Sequence, residues 1–407
     1  MKMLNKLLIF ASLLVICLAT DLSDDKIPRK LTAYLNPDCP DEFCIEKNKK
    51  INVMHITADS DHDRIHHLWS FVGKPSFMMA LGDKNSTLSI DWANFMRFSD
   101  GKEKSVTITP EPEYVTITVL NQIFEFNDPN DHGDFRNVTD KNILALDTSL
   151  FDYEFNGTRM KDNFVELSIR ATKYHNTPNI TNIGAIEFTL QCYGYKNHAT
   201  NYPHLLHNSN NTQIDIVFDK FKLKKSFHAP RLAMEMIFAT SDLKSSNETF
   251  HITKRRTLDD EHTPGIFELD TLLSPRSYIE YRPVSYTKRV RDVSDSTDTH
   301  LSPVIDVVDQ LNNKSLIFDY FGLNEEHLLK RTNLSFGSVN DGFYSKTNYT
   351  SFSFLIGIGN PPTEELSNLV IGIALVGLGI PAMLLLLGGT CICVKRVRSY
   401  RRLNNVS

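Results

Sequence analysis

From Leu369 to Val394 the chain runs for 26 residues without a charge, and Lys395-Arg396-Val397-Arg398 follows at once. At 1.5 Å rise per residue such a stretch makes roughly 39 Å of helix, enough to cross a ~30 Å hydrocarbon core with some tilt. Short cytoplasmic segments retain Lys and Arg, so the basic flank places residues 395–407 in the cytosol and everything before residue 369 in a lumen. Within that tail, Tyr400-Arg-Arg-Leu403 has the Tyr-x-x-bulky-apolar pattern that clathrin adaptors read, which directs a protein toward endosomes and lysosomes. Ala374, Gly377, Pro381 and Gly388 recur at steps of three, four and seven along the helix and so share one face. Small residues on one face let another helix approach closely, from a partner or a second copy, and Pro381 predicts a kink. The plainer reading is the ordinary tolerance of membrane helices for glycine.

The other end fits the same topology. Lys2 and Lys6 precede a short apolar run, Leu7–Leu18, and Cys17-Leu18-Ala19 puts small residues where a signal peptidase cuts. The expected organisation is a signal peptide over 1–19, a lumenal domain over 20–368, a single membrane helix over 369–394 and the tail. The formal charge is −5; without the two leader lysines and the five basic residues of the tail, the lumenal part carries −12. A surface this acidic repels DNA phosphate, which argues against nucleic acid as a partner. Nine Asn-x-Ser/Thr sequons fall in the lumenal stretch, at Asn85, Asn137, Asn156, Asn179, Asn210, Asn247, Asn313, Asn333 and Asn348. One sequon is weak evidence, but nine behind a signal peptide predict a glycosylated domain with these asparagines on loops or outward strand faces. Of the lumenal cysteines, Cys39 and Cys44 are the expected disulfide pair by proximity, leaving Cys192 buried or joined to another chain.

The lumenal sequence reads as strands. Ala185–Cys192, Val165–Arg170, Gln213–Ile216 and Leu232–Met236 alternate apolar and polar residues, the mark of half-buried antiparallel strands. Further strands are expected at Ile51–Ile56, Phe77–Leu81, Thr87–Trp92, Tyr114–Phe126, Ile266–Leu272, Tyr278–Ser285, Ser315–Phe318 and Tyr349–Ile358. Helical periodicity is confined to a short piece near Glu325–Lys330. The polar stretches Ser241–Gly265 and Lys288–Pro303 read as linkers, with a sub-domain boundary near the first. The expected fold is an all-β lumenal domain, a β-sandwich of one or two sub-domains, followed by one C-terminal transmembrane helix.

Evidence for catalysis is thin. His62-Asp-Arg-Ile-His66 has two histidines at i and i+4, as zinc peptidases do on a helix. Its flanks look like strands, where i and i+4 lie roughly 13 Å apart, so a solvated histidine-rich loop is the expectation. His62, His66, His67, His204 and His207 would gain charge at lysosomal pH. Cys192 ends a half-buried strand with no evident base beside it, so an inert thiol is expected. Neither a catalytic residue, a metal ligand nor a cofactor is assigned.

Several segments resemble the glycosylated lysosomal membrane protein family. The most specific is Tyr349-Thr-Ser-Phe-Ser-Phe-Leu-Ile-Gly-Ile-Gly-Asn-Pro-Pro362, with Leu366–Ile373 and Leu378–Pro381 after it. His67–Pro75, Thr87–Trp92, Pro203–His207 and Tyr281–Tyr286 match in order along the chain, and the tail matches the family's sorting signal. The resemblance implies an accessory subunit of a lysosomal major facilitator transporter that exports dipeptides. The glycosylated lumenal domain would cover that transporter and shield it from proteolysis. The lumenal cysteine spacing departs from that of vertebrate members, which leaves the disulfide pattern open. Two competing readings are a membrane-tethered lumenal hydrolase and a sorting or ligand-binding receptor.

Overall fold

Alternating strands need a second layer against which to bury their apolar face, and here two antiparallel sheets supply it to each other. The computed structural model describes residues 27–44, 51–98, 103–175, 180–222, 226–243, 250–257, 267–307, 314–322, 327–363 and 368–403. The expected signal peptide and the sequons at Asn179, Asn247 and Asn313 lie outside these residues. The first strands are β1 (Lys30–Leu35), β2 (Val53–Asp59), β3 (Asp63–Ser70), β4 (Ser76–Asp83), β5 (Thr87–Ile90), β6 (Val106–Thr109), β7 (Tyr114–Asn127) and β8 (Ile143–Asp147). Next come β9 (Phe151–Lys161), β10 (Phe164–Tyr174), β11 (Ile180–Tyr193), β12 (Asn197–His198), β13 (Leu206–His207), β14 (Asn211–Asp219) and β15 (Pro230–Leu243). The last are β16 (His251–Thr257), β17 (Phe267–Leu273), β18 (Ser277–Tyr281), β19 (Val284–Tyr286), β20 (Ser296–Leu301), β21 (Ile305–Asp306), β22 (His327–Phe336) and β23 (Tyr349–Ile358).

The first sheet runs β1-β2-β3-β4-β7-β15-β22-β20, with β8 continuing beside the second half of β7. The second runs β9-β10-β11-β14-β23-β18-β17-β16. The β19–β20 hairpin joins them, since β19 also pairs with β23 and β20 with β22. Between the sheets lies the main core, where Ile56, Ile65, Trp69 and Phe77 of the first meet Leu167, Phe188, Ile216 and Phe352 of the second.

The first sheet is buried on its other face too. Val53, Leu68, Met78, Ala80 and Ile117 pack there against the β5–β6 hairpin and two short helices. This explains why runs such as Phe77-Met-Met-Ala read as continuously apolar rather than alternating. Among the helices, α1 (Asp41–Cys44) carries one half of the Cys39–Cys44 disulfide. In α2 (Trp92–Phe95) the Asp91 carboxylate caps the first turn by accepting from the Asn94 amide at 3.1 Å.

Two local expectations fail. Ser315–Phe318 is not a strand but the start of α3 (Leu316–Phe321), which buries Leu316, Ile317 and Phe321 in the second core and ends at Gly322 with φ +72°. A short apolar run cannot by itself choose between helix and strand. Conversely, His327–Lys330, expected as helix, begins β22 and pairs with β15, because the ladder overrides a weak local pattern. The two polar stretches also contain strands: β16 lies within Ser241–Gly265 and β20 within Lys288–Pro303. Helix α4 (Phe343–Thr347) precedes β23.

The chain divides into two compact units, one reaching Pro362 and one beginning at Thr363. The second is α5 (Asn368–Leu403), 36 residues long with Pro381 inside it. Its Gly379–Ser399 stretch is long and apolar enough to cross a membrane. The helix continues through the basic flank, so Tyr400 and Leu403 stand on its last turn.

Candidate functional site

An N-glycan leaves through the asparagine amide and needs that amide in solvent. Asn85 is exposed in the β4–β5 turn, where its backbone N–H donates to the Asp83 carboxylate at 2.8 Å. Asn156 is exposed on β9, a strand paired on one side only among the described residues. Asn348 is exposed between α4 and β23 with φ +51°, a left-handed conformation that asparagine tolerates. Asn137 ends a 3-10 turn, and Asn333 sits half-buried on β22 opposite Glu235.

Asn210 departs from the expectation of an outward acceptor. It is 8% exposed, and its Oδ1 accepts from Arg29 Nε at 3.0 Å. Arg29 is itself buried, pairs with Asp63, and passes its backbone N–H to Gly194. Thr212, the third residue of that sequon, is fully buried against His67. A glycan grows from the Nδ2 of its asparagine and needs open solvent around it, which this enclosed side chain lacks. We expect peptide mapping of the folded protein to find Asn210 unmodified while Asn85, Asn156 and Asn348 carry glycans; a glycan on Asn210 in natively folded material would contradict this.

The histidines were expected in a solvated loop, yet most of them are interior. β3 begins at Asp63, and its alternation sends His66 and His67 to opposite buried faces. His66 Nδ1 lies 3.0 Å from His55 Nε2 in a stacked pair, and its Nε2 is 2.8 Å from the Ser86 hydroxyl. His67 faces the second sheet, where Nδ1 meets Thr212 Oγ1 at 2.9 Å and Nε2 meets Cys192 Sγ at 3.7 Å. Burial, helped by neighbouring cations and rings, lowers His55 to about 4 and His66 and His67 to about 3. His207, stacked on Tyr193 with ring centres 3.3 Å apart, is lowered by burial to about 3 as well. These four stay neutral in an acidic lumen, so His66, His67 and His207 do not gain charge as the sequence suggested. His62 is exposed just before β3 and shares no site with His66.

Cys192 therefore does have a base beside it, one that 125 residues of separation hid from the sequence. The pair is sealed in the core, and burial pushes the thiol up to about 12. Enclosed among the described residues, this neutral thiol and neutral imidazole are a packing pair rather than a nucleophile and its base.

Gly377 and Gly388 lie on α5, as do Gly379 and Gly389, and an added Cβ would meet no atom within 4 Å at any of the four. Ala374 and Pro381 lie on the same helix.

Comparison with known proteins matches residues 52–399 to the family model described as "Glycosylated lysosomal membrane protein". The chain is 28% identical over 369 residues to the Bos taurus protein of that name, covering 87% of each chain. It is 26% identical over 386 residues to "Glycosylated lysosomal membrane protein A" of Xenopus laevis, covering 91% of each. The Homo sapiens protein is 26% identical over 371 residues, with 87% of each chain covered.

Proposed function

This chain belongs to the glycosylated lysosomal membrane protein family, and we propose on that premise that it is an accessory subunit of a polytopic transporter in the lysosomal membrane. The transporter is a major facilitator protein that exports dipeptides. The lumenal β domain, with its glycans, covers the partner's lumenal surface and keeps proteases away from it. Residues 1–19 act as the signal peptide, and Tyr400 with Leu403 recruits clathrin adaptors. The observation that carries the reading is the division of the molecule. A large β-sandwich with exposed sequon asparagines at Asn85, Asn156 and Asn348 is followed in sequence by one apolar helix that carries Gly377 and Gly388. Small residues at these positions, with Ala374 and Pro381, form the contact for the partner's helix, or for a second copy of this chain.

Depletion tests the reading directly. Loss of this chain is expected to lower the transporter's steady-state level several-fold in lysosomes, with rescue by the full chain. Purified lysosomal membranes should yield both proteins together. Unchanged transporter levels, with no polytopic protein co-purifying, would sink the proposal.

A further inference from the structure

The outer face of the second sheet is not bare. Loop residues 200–204 and 289–291 overhang Ser168 of β10, Thr189 and Gln191 of β11 and Asp215 of β14, leaving a cleft of about 550 Å³. These strand residues alternate with Leu167, Phe188, Leu190, Ile214 and Ile216 of the core, so the cleft and the core occupy opposite faces of the same strands.

Its charges are already matched. Arg159 Nη2 donates to Glu166 at 2.5 Å, and Gln191 Nε2 donates to the same carboxylate oxygen at 2.8 Å. Arg289 pairs with Asp219 at 3.1 Å and with Glu187 at 3.7 Å. Arg291 lies 3.7 Å from Asp215 and donates to the Tyr202 carbonyl at 2.7 Å and the Ser353 hydroxyl at 2.6 Å. Beside His204, whose Nδ1 meets the Ala199 carbonyl at 2.8 Å, every charged side chain of the wall is paired, which leaves little to draw a phosphate or a metal. What it offers are planar donors and acceptors locked by their own pairing, the hydroxyls of Ser168, Thr189 and Thr200, and the rings of Tyr202 and Tyr349. That combination suits vicinal hydroxyls presented beside an apolar C–H face, which is the surface of a neutral sugar.

A sequon asparagine adjoins the lining in sequence. Tyr349 lines the cleft, and the residue before it is the exposed acceptor Asn348. We propose that the cleft is a saccharide site occupied by the first sugars of the N-glycan on Asn348. This rests on the glycosylated lumenal reading above. The glycan would then be a packed part of the domain at this position, and a free solvent chain at Asn85.

The test uses the full chain in detergent and follows endoglycosidase release site by site with glycopeptide mass spectrometry. Release at Asn348 is expected to be at least roughly tenfold slower than at Asn85, because cleavage must wait for the sugars to leave the cleft. Unfolding the protein should abolish the difference, and so should a Thr189→Trp variant that fills the cleft while keeping the wild-type melting temperature. Separately, the Asn348→Gln protein should bind added Man3GlcNAc2 core oligosaccharide, and the glycosylated wild type should not. Equal release at both sites in native protein, with no oligosaccharide binding by Asn348→Gln, overturns the proposal. Binding by wild type and variant alike overturns self-occupancy and assigns the cleft to an external glycan. An unmodified Asn348 would defeat the glycan's part in the proposal, whereas oligosaccharide binding is scored independently of it.

Discussion

An Arg231→Met variant is expected to lose about 3–5 kcal/mol of lumenal-domain stability at neutral pH, because it strands three carboxylates around a buried position. Arg231 is 2% exposed on β15. Its Nε donates to Asp128 at 2.8 Å, and its Nη2 serves Asp341 at 2.8 Å, the Ser338 carbonyl at 3.1 Å and Asp131. Each carboxylate is fixed by further donors. Asp128 accepts from the Gly133 amide, Asp131 from the Gly342 amide, and Asp341 from the Thr297 hydroxyl and the Ser338 amide. Burial works against the Asp341 charge, and Thr297, Ser338 and Arg231 together overcome it and hold its carboxyl below the usual range. The guanidinium thus ties β15 to two turns that are about a hundred residues away from it on either side.

Trp69 and Trp92, the chain's two tryptophans, are both buried, so their fluorescence reports unfolding of the detergent-solubilised protein. The denaturation midpoint should fall steeply in Arg231→Met, and the deficit should shrink toward pH 4 as Asp341, no longer held down by Arg231, takes up a proton. By contrast Arg136, half-exposed and paired with Asp134 at 2.5 Å, should cost under about 1 kcal/mol when replaced by alanine. Equal effects at the two arginines would contradict this account.

The second large effect is acid sensitivity. His55, His66, His67 and His207 are neutral in the fold, with values lowered from 6.5 to about 4, 3, 3 and 3. In the unfolded chain they protonate near 6.5, so below that pH the unfolded state binds more protons than the native one. Stability is therefore full above about pH 6.5 and is lost as pH falls toward about 3, at up to roughly 1.4 kcal/mol per pH unit for each group. Between pH 7 and 5 the domain should lose several kcal/mol in all, a burden that a lysosomal protein carries throughout its working life. Replacing His66 by glutamine keeps a polar partner for His55 and Ser86 but removes one proton-binding site. The variant should melt close to wild type at pH 7.5 and show a shallower decline on acidification. A wild-type melting temperature that is flat from pH 7 to 5 would refute this assignment of the buried histidines.

Much of the architecture was legible because it depends on near neighbours in sequence. Ala185–Cys192 and Gln213–Ile216 alternate because one face of each meets the core and the other meets solvent or the polar cleft. The 26 uncharged residues before Lys395 announce their helix without reference to anything else. Cys39 and Cys44 lie five residues apart and do pair. What failed were short segments whose state is chosen by a distant partner. Leu316–Phe321 is helical where it plugs the second core, and His327–Lys330 is extended because β15 lies beside it.

Side-chain roles divide along the same line. The sequence determined by itself that a sequon-rich β domain is joined to one long apolar helix, since each signal is carried by a contiguous stretch. Only the tertiary structure decided that Asn210 holds Arg29 instead of facing solvent, and that His66 and His67 are buried on opposite faces. It alone joined His67 to Cys192 and gathered Arg231 with three distant aspartates. Burial and pairing are properties of what the fold brings together across a hundred or more residues, and no local pattern encodes them.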